Sequence, residues 1–432
     1  MATRWGAGLS SAAALLVDRF GSADAVQRYQ TARLRALLRH AYEKVPYYRR
    51  RFDSAGIHPA QVRTLEDLKR LPVTPKSDLR ELPEDDVLAR DCDRTRLLRY
   101  GTGGSTGLPT EIRFTPFEDR LLRLMRVQVL MKFGLRLTDR RAGVVFCKTP
   151  HPQEDAGLLG RFGILRSRAV HCMSSPEQIV SELREFRPDA IRGYSSALSG
   201  IAGKLTGEDR KRIRPRFITT DSENLTALAR ERIESGFGAP VFDLYDCFEC
   251  NVIAYQCPRG HGYHVLDTAV VVEVLNGDRP ALPGECGEVA ITPLHSWAAP
   301  LIRYMPGDIV EQGPRWCPCG APNACLTKIY GRTQDRFILP RRPDIHPGIF
   351  AAWIYPLCPG LRRYQIVQET RDRVVIRLQP LPGARIPEAQ LETMRRGMTR
   401  DLGEEIALRI DMVDDIPSEP NGKFRPYRCE VN

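Results

Sequence analysis

The chain has 432 residues, of which 42% are apolar and 27% are charged, and its formal net charge at pH 7 is +11. A chain of this length is expected to form at least two domains, and the composition is typical of an ordinary soluble globular protein. The sequence has no run of apolar residues long enough to cross a bilayer, and its basic residues are spread along the chain instead of forming a patch. We therefore predict a cytoplasmic protein that binds neither a membrane nor nucleic acid.

The first eighty residues are predicted to be mainly helical. The apolar run from Leu9 to Val17 is short and is closed by charged residues, so we interpret it as helix instead of a signal peptide. Between Ala25 and Ala41 the apolar residues recur every three or four positions, which predicts an amphipathic helix. Pro46 is expected to end this helix, because the residue before a proline is disfavoured in the helical conformation.

From about residue 98 the pattern alternates between short apolar strands and helices. The predicted strands are 142–147, 190–194, 216–220 and 240–245, and the predicted helices between them are 176–186 and 224–237. Strands that alternate with helices in this way are typical of an α/β domain with a largely parallel sheet.

Beyond Gly262 the pattern becomes richer in strands. Segments 264–275, 287–292 and 300–304 are predicted to be neighbouring antiparallel strands, with a turn at Asn276-Gly277. After about residue 335 a smaller α+β unit is predicted. Its elements are strands 364–370 and 374–378, a helix at 387–402 and a strand at 407–413.

The cysteines are unevenly distributed. Six of the twelve lie in two segments, namely Cys247, Cys250 and Cys257, then Cys317, Cys319 and Cys325. Without a secretory signal they do not indicate a disulfide framework. Cys257, Cys317 and Cys319 together with one histidine could form a tetrahedral zinc site, and reduced structural thiols are the alternative. For the histidine we choose His264, at the start of a strand, over His261.

A glycine-rich segment, Tyr100-Gly-Thr-Gly-Gly-Ser-Thr-Gly-Leu-Pro-Thr110, suggests a phosphate-binding loop. Glycines allow the backbone to approach a ligand closely, and free N–H groups and hydroxyls bind phosphate oxygens. The segment lacks the Gly-Lys-Ser/Thr ending of a P-loop, which disfavours that class of nucleotide site. Considered alone, it is equally consistent with an ordinary surface loop.

Four further segments follow the glycine loop at long intervals. They are Tyr245-Asp-Cys-Phe-Glu249, Arg303-Tyr-Met-Pro-Gly-Asp308, Gly331-Arg-Thr-Gln-Asp335 and Pro417-Ser-Glu-Pro-Asn-Gly-Lys423. In this order they resemble the AMP-forming adenylating enzymes, and more closely the branch of the phenylacetate–coenzyme A ligases and coenzyme F390 synthetases. The resemblance covers nearly the whole chain and includes Val45-Pro-Tyr-Tyr48, Leu65 to Pro72 with Lys76, and Gly193-Tyr-Ser-Ser196.

The resemblance implies a role for each motif. The residues that it implies bind the ATP phosphates are Thr102, Gly103, Gly104, Ser105, Thr106 and Gly107. It implies that Tyr245, Ser222 and Glu223 lie near adenine, and that Asp308 and Arg332 bind the ribose. Glu249 would position Mg²⁺. Lys423 would bridge the carboxylate and the α-phosphate during adenylation, and Asp335 would be a hinge for the small domain.

The fold implied is α/β, with a large adenylating domain at 1–334 that combines parallel sheets, helices and a β-rich part. A small mobile α+β domain would follow at 335–432. The activity implied is ATP-dependent activation of a carboxylic acid, preferably aromatic, followed by transfer to coenzyme A. ATP, Mg²⁺, structural Zn²⁺ and coenzyme A are the cofactors and cosubstrates expected, and a homodimer is ordinary for this branch.

Three departures from the family pattern keep alternatives open. Thr110 stands in place of a lysine, Asp246 in place of a glycine, and the segment Leu339 to Pro347 has prolines where relatives have a glycine turn beside the pantetheine channel. An amine or another nitrogen nucleophile is therefore the alternative acceptor. A catalytically inactive binding subunit is the alternative from another class. The sequence does not identify the acid.

Overall fold

The computed structural model describes residues 22–101, 111–146, 153–154, 163–164, 166–341, 344–358 and 360–431. The α-helices in these residues are α1 (Ala23–Lys44), α2 (Pro46–Ser54), α3 (Lys76–Glu81), α4 (Glu84–Val87), α5 (Pro116–Lys132), α6 (Pro176–Phe186), α7 (Ser195–Ala202), α8 (Gly207–Arg212), α9 (Ala227–Phe237), α10 (Ala351–Leu357) and α11 (Glu388–Leu402). None of the helices described combines the length and the apolarity needed to cross a membrane.

The strands in chain order alternate with these helices in the middle of the chain, and from β9 to β17 no α-helix lies between the described strands. They are β1 (Thr74–Pro75), β2 (Leu98–Gly101), β3 (Glu111–Phe114), β4 (Arg141–Val145), β5 (Gln153–Glu154), β6 (Ser167–His171), β7 (Ala190–Gly193), β8 (Phe217–Thr220), β9 (Val241–Cys247), β10 (Asn251–Gln256), β11 (Tyr263–Val265), β12 (Val270–Asn276), β13 (Arg279–Pro280), β14 (Cys286–Pro293), β15 (Tyr304–Met305), β16 (Asp308–Gln312), β17 (Cys325–Arg332), β18 (Leu361–Thr370), β19 (Arg373–Pro380), β20 (Ala407–Met412) and β21 (Tyr427–Cys429).

The ends of helix α1 follow from its sequence. Ser22 caps the helix by accepting a hydrogen bond from the Ala25 N–H. Val45 is extended and Pro46 begins α2, as the position of the proline predicts. One face of α1 is buried in an apolar cluster with α2, and this face includes Leu34, Leu38 and Ala41. The predicted helix is therefore confirmed.

The chain divides into two compact units. The first unit consists of residues up to Arg136 together with Phe242–Ile329, and the second consists of Leu137–Val241 together with the residues from Tyr330 onward. In the first unit the strands of the sheet follow the order β1-β15-β14-β16-β17-β11-β10-β9, and β12 pairs with β13 and β14. The pairs in this part are mostly antiparallel, as predicted for the region beyond residue 262.

The second unit contains the predicted parallel sheet. Strand β4 runs parallel to both β6 and β7, and β7 runs parallel to β8, whereas the short β5 is antiparallel to β6. Apolar side chains of α6, α7 and α9 pack against this sheet in one buried cluster. Both faces of a parallel sheet need such cover, because the intervening helices return along its faces.

The C-terminal part of the second unit is a four-stranded sheet with helices, in the order β20-β19-β18-β21. Met394, Met398 and Leu402 of α11 are buried against it. The fold is α/β with an α+β C-terminal region, as predicted. The boundary proposed at residue 335 lies inside the second unit and stays a prediction.

Some details of the fold differ from the sequence-based expectations. The predicted strand 264–275 is two strands, β11 and β12, because a turn at residues 266–269 interrupts it. The predicted strand 300–304 is paired only at Tyr304 and Met305, and Arg303 has a φ of +50°, which breaks the extended conformation. Strand β21, which pairs in parallel with β18, was not predicted. The Asn276-Gly277 turn is confirmed between β12 and β13.

Candidate active site

The glycine-rich segment lies between two paired strands. Strands β2 and β3 form an antiparallel hairpin whose last pair is Gly101 with Glu111. The predicted phosphate-binding residues 102–107 lie outside the described residues. Tyr100 precedes them, and its hydroxyl donates to Asp119 at 3.0 Å. The pairing of β2 with β3 was not predicted from the sequence.

Two of the predicted nucleotide-binding side chains meet in the first unit. Tyr245 lies near the end of β9 and Asp308 is the first residue of β16. The Tyr245 hydroxyl donates a hydrogen bond to Asp308 Oδ2 at 2.8 Å, and both side chains are buried. Gly307, just before Asp308, has a φ of +84°, a conformation that favours glycine. The arrangement therefore places an aromatic ring and a carboxylate next to each other, 63 residues apart in the chain.

Glu249 lies in the turn between β9 and β10 and is only 3% exposed. Its Oε1 accepts a hydrogen bond from the Tyr304 hydroxyl at 2.8 Å, and Lys76 Nζ lies 3.8 Å from the same oxygen. Lys76 belonged to the segments that carry the resemblance, but no role was predicted for it or for Tyr304. A carboxylate held in one orientation by a hydroxyl is a suitable ligand for a hard cation.

The unusual Asp246 has a partner in helix α5. Arg126 pairs with Asp246, and its Nε donates to Asn251 Oδ1 at 2.7 Å. Asn251 has a φ of +65° at the start of β10, so its side chain can reach back toward the end of β9. Cys247 and Cys250, which flank Glu249, have their sulfur atoms 3.5 Å apart. Position 246, where the family pattern has a glycine, therefore carries a charged side chain that is compensated by Arg126.

Ser222 and Glu223 follow strand β8 in the second unit. Ser222 has a φ of +66°, and its hydroxyl contacts Asp221 at 3.3 Å. The carboxylate of Glu223 accepts hydrogen bonds from the Ser195 hydroxyl at 3.0 Å and from the N–H and hydroxyl of Ser196 at 2.9 Å each. It also accepts one from the Phe424 N–H at 2.5 Å. Burial raises the pKa of Glu223, and these hydrogen bonds oppose that effect.

Lys423 occupies a closed turn in the second unit. The Glu419 N–H donates to the Lys423 carbonyl at 2.8 Å, and the Lys423 N–H donates to Asn421 Oδ1 at 3.1 Å. Lys423 Nζ lies 5.7 Å from the centre of the Tyr194 ring. The two residues belong to motifs that are far apart in the chain, and both motifs contribute to the family resemblance.

Asp335 and Arg332 also lie in the second unit. Asp335 is 6% exposed and forms an ion pair with Arg425. Burial raises the pKa of Asp335, and Arg425 opposes the shift. Arg332, by contrast, is exposed at the end of β17. The predicted role of Arg332 at the ribose remains a prediction.

The four predicted zinc ligands come together. The ligand atoms of Cys257, His264, Cys317 and Cys319 all lie within 4.8 Å of one another. Cys257 Sγ is 3.8 Å from Cys317 Sγ, and Cys319 Sγ is 3.4 Å from His264 Nε2. Two thiolates bound to zinc at about 2.3 Å in a tetrahedral arrangement lie about 3.8 Å apart, so the donor set and the spacing both fit zinc.

Two turns of the same design present the cysteines. Cys257-Pro-Arg-Gly260 and Cys317-Pro-Cys-Gly320 each close with a hydrogen bond from the glycine N–H to the first cysteine carbonyl, at 2.9 and 3.0 Å. Gly260 and Gly320 both have positive φ, at +79° and +90°. His264 reaches the cluster from β11, and burial lowers its pKa to about 4, which keeps the imidazole neutral. A neutral imidazole is the form that binds a metal.

Comparisons with known proteins agree with the motifs. Residues 337–427 match the family model of the CapK C-terminal domain. The phenylacetate-coenzyme A ligase of Thermus thermophilus is 28% identical, over 92% of this chain and 94% of its own length. The corresponding ligase of Escherichia coli is 27% identical, over 90% of this chain and 84% of its own length.

The solved structures agree in fold. A 2-hydroxyisobutyryl-CoA ligase in the postadenylation state superimposes with a TM-score of 0.74 at 23% identity, covering 94% of this chain and 89% of that chain. At this identity the likeness shows the shared fold. The relatives that match along nine tenths of the sequence are phenylacetate-coenzyme A ligases, so the comparisons confirm that this chain resembles the AMP-forming adenylating enzymes and, within them, that branch.

Proposed function

We propose that this protein is an ATP-dependent, AMP-forming ligase that activates a carboxylic acid as an acyl-adenylate and transfers the acyl group to coenzyme A. The observation that carries the proposal is the hydrogen-bonded pair Tyr245–Asp308 beside the strand end that bears Glu249. The proposal is supported by the two sequence relatives, both of which are named phenylacetate-coenzyme A ligases.

In our proposal the Tyr245 ring lies against adenine and Asp308 accepts the ribose hydroxyls, while Arg332 and Ser222 would make further contacts with the nucleoside. The hydrogen bond from Tyr245 orients the Asp308 carboxylate, and a carboxylate oxygen is a suitable acceptor for a ribose hydroxyl. Residues 102–107 would hold the phosphates, because backbone N–H groups and hydroxyls in a glycine-rich segment suit anionic oxygens.

The first half-reaction needs charge neutralisation and alignment more than covalent catalysis. The substrate carboxylate attacks the α-phosphorus of ATP, the bond to the β-phosphate oxygen breaks, and pyrophosphate leaves. Lys423 would contact the carboxylate and an α-phosphate oxygen and so stabilise the charge that develops between them. Glu249 would hold Mg²⁺, which neutralises phosphate charge when bound. Tyr304 keeps the Glu249 carboxylate oriented.

In the second half-reaction the sulfur of coenzyme A attacks the acyl carbon and AMP leaves. We propose that the region from residue 335 moves as a small domain between the two steps, with Asp335 at the hinge. The names of the relatives favour coenzyme A as acceptor over an amine. They also support the preference for an aromatic acid, since the sequence relatives are phenylacetate ligases. Asp246 stands where the family pattern has a glycine, and we propose that its ion pair with Arg126 borders the acyl pocket.

We propose in addition that Cys257, His264, Cys317 and Cys319 bind one structural zinc ion. The cluster joins two turns and a strand of the first unit, and zinc bound there would hold residues 257–264 against residues 317–320. No open coordination position is required for this role.

The adenylation step is tested by pyrophosphate exchange over a panel of aromatic, aliphatic and amino acids. Lys423→Ala is expected to lower the exchange rate with the best acid about 1,000-fold or more, because the charge at the reacting centre is then uncompensated. Lys204→Ala, a change of an exposed lysine in the same unit, is the control and should leave exchange and melting temperature unchanged. Full exchange in Lys423→Ala would refute the assignment.

The acceptor is tested separately. The enzyme is incubated with ATP and the best acid, and with either coenzyme A or hydroxylamine. A thioester formed in preference to the hydroxamate supports coenzyme A as acceptor. A hydroxamate without any thioester, across the whole panel of acids, would favour an amine acceptor. ATP binding that never gives AMP would favour a binding subunit.

A further inference from the structure

The hydrogen bonds of Glu223 suggest a role different from the purine contact that the family resemblance implies. A carboxylate has about four acceptor positions, and protein donors occupy this number of positions on Glu223. Three of the donors are groups of Ser195 and Ser196, at the beginning of helix α7. The positive end of the helix dipole there favours a carboxylate. Glu223 is therefore bound at the N-terminus of α7, which packs against the parallel sheet.

The fourth donor lies in the C-terminal part of the chain. The Phe424 N–H donates to Glu223 Oε1 at 2.5 Å, and this N–H belongs to the peptide that directly follows Lys423. Phe424 is also contacted from above by Arg363, whose guanidinium carbon lies 5.0 Å from the centre of the ring. The carboxylate therefore connects the sheet to the peptide next to the lysine that we propose acts in adenylation.

The turn that carries Lys423 is closed, so a hydrogen bond to one peptide positions the whole turn. The Gly422 N–H donates to the Glu419 carbonyl at 2.8 Å, and the Glu419 N–H donates to the Lys423 carbonyl at 2.8 Å. A Cβ on Gly422 would lie 2.7 Å from Cys172 Sγ, so the turn lies directly against the segment after β6. With the backbone held at Gly422 and at Phe424, the Lys423 side chain extends to within 5.7 Å of the centre of the Tyr194 ring.

We propose that Glu223 is a positioning residue that docks the Lys423 turn onto the parallel sheet for the adenylation step. The inference rests on the proposed function, since it assigns Glu223 to one half-reaction of that function. The hydrogen bond is needed while Lys423 acts on the α-phosphate. It is not needed for thioester formation, in which Lys423 has no proposed part. Glu223 acts through the backbone of Phe424 and need not touch ATP.

The experiment compares the two half-reactions in Glu223→Gln. The glutamine amide presents N–H donors where the carboxylate accepted, so at least one of the four hydrogen bonds becomes a repulsive contact. We expect the rate constant of pyrophosphate exchange with phenylacetate, or with the best acid of the panel, to fall about 10- to 100-fold, the loss typical of a hydrogen bond to a charged group. The KM for ATP and the rate of thioester formation from synthetic acyl-adenylate and coenzyme A should stay within about twofold.

Glu208→Gln provides the matched control, because Glu208 is an exposed glutamate of the same unit that pairs only with neighbours on α8. It should match the wild type in both half-reactions. Equal losses in both half-reactions of Glu223→Gln would mean a general structural effect and would overturn the proposal. A raised KM for ATP with an unchanged rate constant would mean a purine contact and would also overturn it, as would unchanged exchange.

A second measurement does not depend on activity. Amide hydrogen exchange of a peptide that covers residues 419–425 should be faster in Glu223→Gln than in the wild type and in Glu208→Gln, because the docked turn is released. If the wild type catalyses no exchange with any acid, the proposed function fails while this measurement still tests the docking contact. Identical protection of the peptide in all three proteins would overturn the docking role.

Discussion

The Glu249 carboxylate is held by side chains from distant parts of the first unit. Tyr304 of β15 donates to Oε1, and Lys76, at the start of α3, faces the same oxygen. The strands meet because β1, just before α3, pairs in parallel with β15. Tyr304 is fully buried, so its hydroxyl has a fixed direction. The orientation of a proposed magnesium ligand thus depends on a tyrosine of another strand.

Tyr304→Phe should therefore weaken the proposed magnesium site. Without the hydroxyl, Glu249 keeps only the longer contact to Lys76, and we expect pyrophosphate exchange to fall about tenfold, with a higher Mg²⁺ concentration needed for half-maximal rate. Exchange is measured as a function of Mg²⁺ concentration.

Tyr48→Phe is the matched control for this change. Tyr48 is also buried, and its hydroxyl accepts from the Ile302 N–H, two residues before Tyr304. Both variants lose one buried hydroxyl and should lose similar stability, but only Tyr304→Phe should change the Mg²⁺ dependence. An equal change in both variants would contradict the orienting role of Tyr304.

The site residues differ in how far the sequence could predict them. The sequence singles out Tyr245, Glu249 and Asp308 because each lies in a short contiguous motif next to a strand, and their role in the site stays a prediction. Their partners were not predicted, because Tyr304 reaches Glu249 only through the pairing of β15 with β1. Arg126 reaches Asp246 only through the position of α5 beside β10, which no motif records. The partners of these side chains therefore depend on contacts between distant elements, which sequence motifs do not show.

At the scale of elements, the Lys423 turn shows how one glycine allows a close contact. Gly422 and Gly383 both have a φ of +78°, but a Cβ on Gly422 would meet Cys172 Sγ at 2.7 Å, whereas a Cβ on Gly383 has nothing within 4 Å. The two positions thus have the same backbone strain for alanine, about 1–2 kcal/mol, and differ in the space around them.

Gly422→Ala is expected to lower pyrophosphate exchange about tenfold or more, because the turn must move away from Cys172 and takes Lys423 with it. Gly383→Ala should cost similar backbone strain and leave exchange within about twofold of the wild type. The melting temperature and the exchange rate of both variants are compared. Similar exchange rates in the two variants would show that the contact with Cys172 does not position Lys423.

The two Cys-Pro-x-Gly turns allow a test of the metal site. Cys325 is buried in the same sulfur cluster but donates to the Asn323 carbonyl at 3.4 Å and is not among the four converging ligands. We expect about one equivalent of zinc in the freshly purified protein, less than about a fifth of that in Cys319→Ser, and nearly the wild-type content in Cys325→Ser. Metal content is measured by elemental analysis. Less than about half an equivalent in the wild type would indicate reduced structural thiols instead.

The elements show the same contrast between local and long-range signals. Helix α1 and helix α6 follow from the spacing of apolar residues and from capping residues, which are local. The continuous apolar run 264–275 gave no sign of its interruption, because the turn at 266–269 is stabilised by the hydrogen bond of the Leu266 N–H to Ile253 in β10. Strand β21 is only three residues long, which is too short to show an alternation of apolar and polar residues, and its partner β18 is distant in the sequence.

At the scale of the whole molecule, the fold class could be predicted because strands and helices alternate in one half of the chain and strands dominate in the other. The order of the motifs then indicated the family more strongly than any single motif. The grouping into compact units could not be predicted, because residues 137–241 and the residues from Tyr330 onward are joined through contacts such as that of Glu223 with Phe424. A prediction of linear domains cannot represent a unit built from two separate stretches.

The stability of the molecule should depend on pH through His295. This histidine is 2% exposed, its Nε2 donates to the Thr268 carbonyl at 2.9 Å, and its Nδ1 faces the Arg33 guanidinium at 3.1 Å. Burial, with Arg33 adding to it, lowers the pKa of His295 to about 4. The unfolded chain therefore binds a proton more tightly than the folded one, and stability falls as the pH drops below about 6.5, the ordinary pKa of histidine.

Between pH 7 and pH 5 this effect amounts to about 2 kcal/mol of unfolding free energy for such a pKa difference. The pH dependence of wild-type stability alone does not reveal this effect. Burial raises the pKa of Asp267 to about 7, so the protonation of Asp267 stabilises the folded protein as the pH falls through the same range. The difference between His295→Gln and the wild type isolates the histidine, since glutamine can still donate to Thr268 but does not titrate. Urea unfolding at both pH values should show a loss in the wild type that exceeds the loss in His295→Gln by about 2 kcal/mol. His58→Gln, at an exposed position, should follow the wild type at both pH values. Equal losses in His295→Gln and the wild type would mean that His295 takes up its proton as readily in the folded protein as in the unfolded chain.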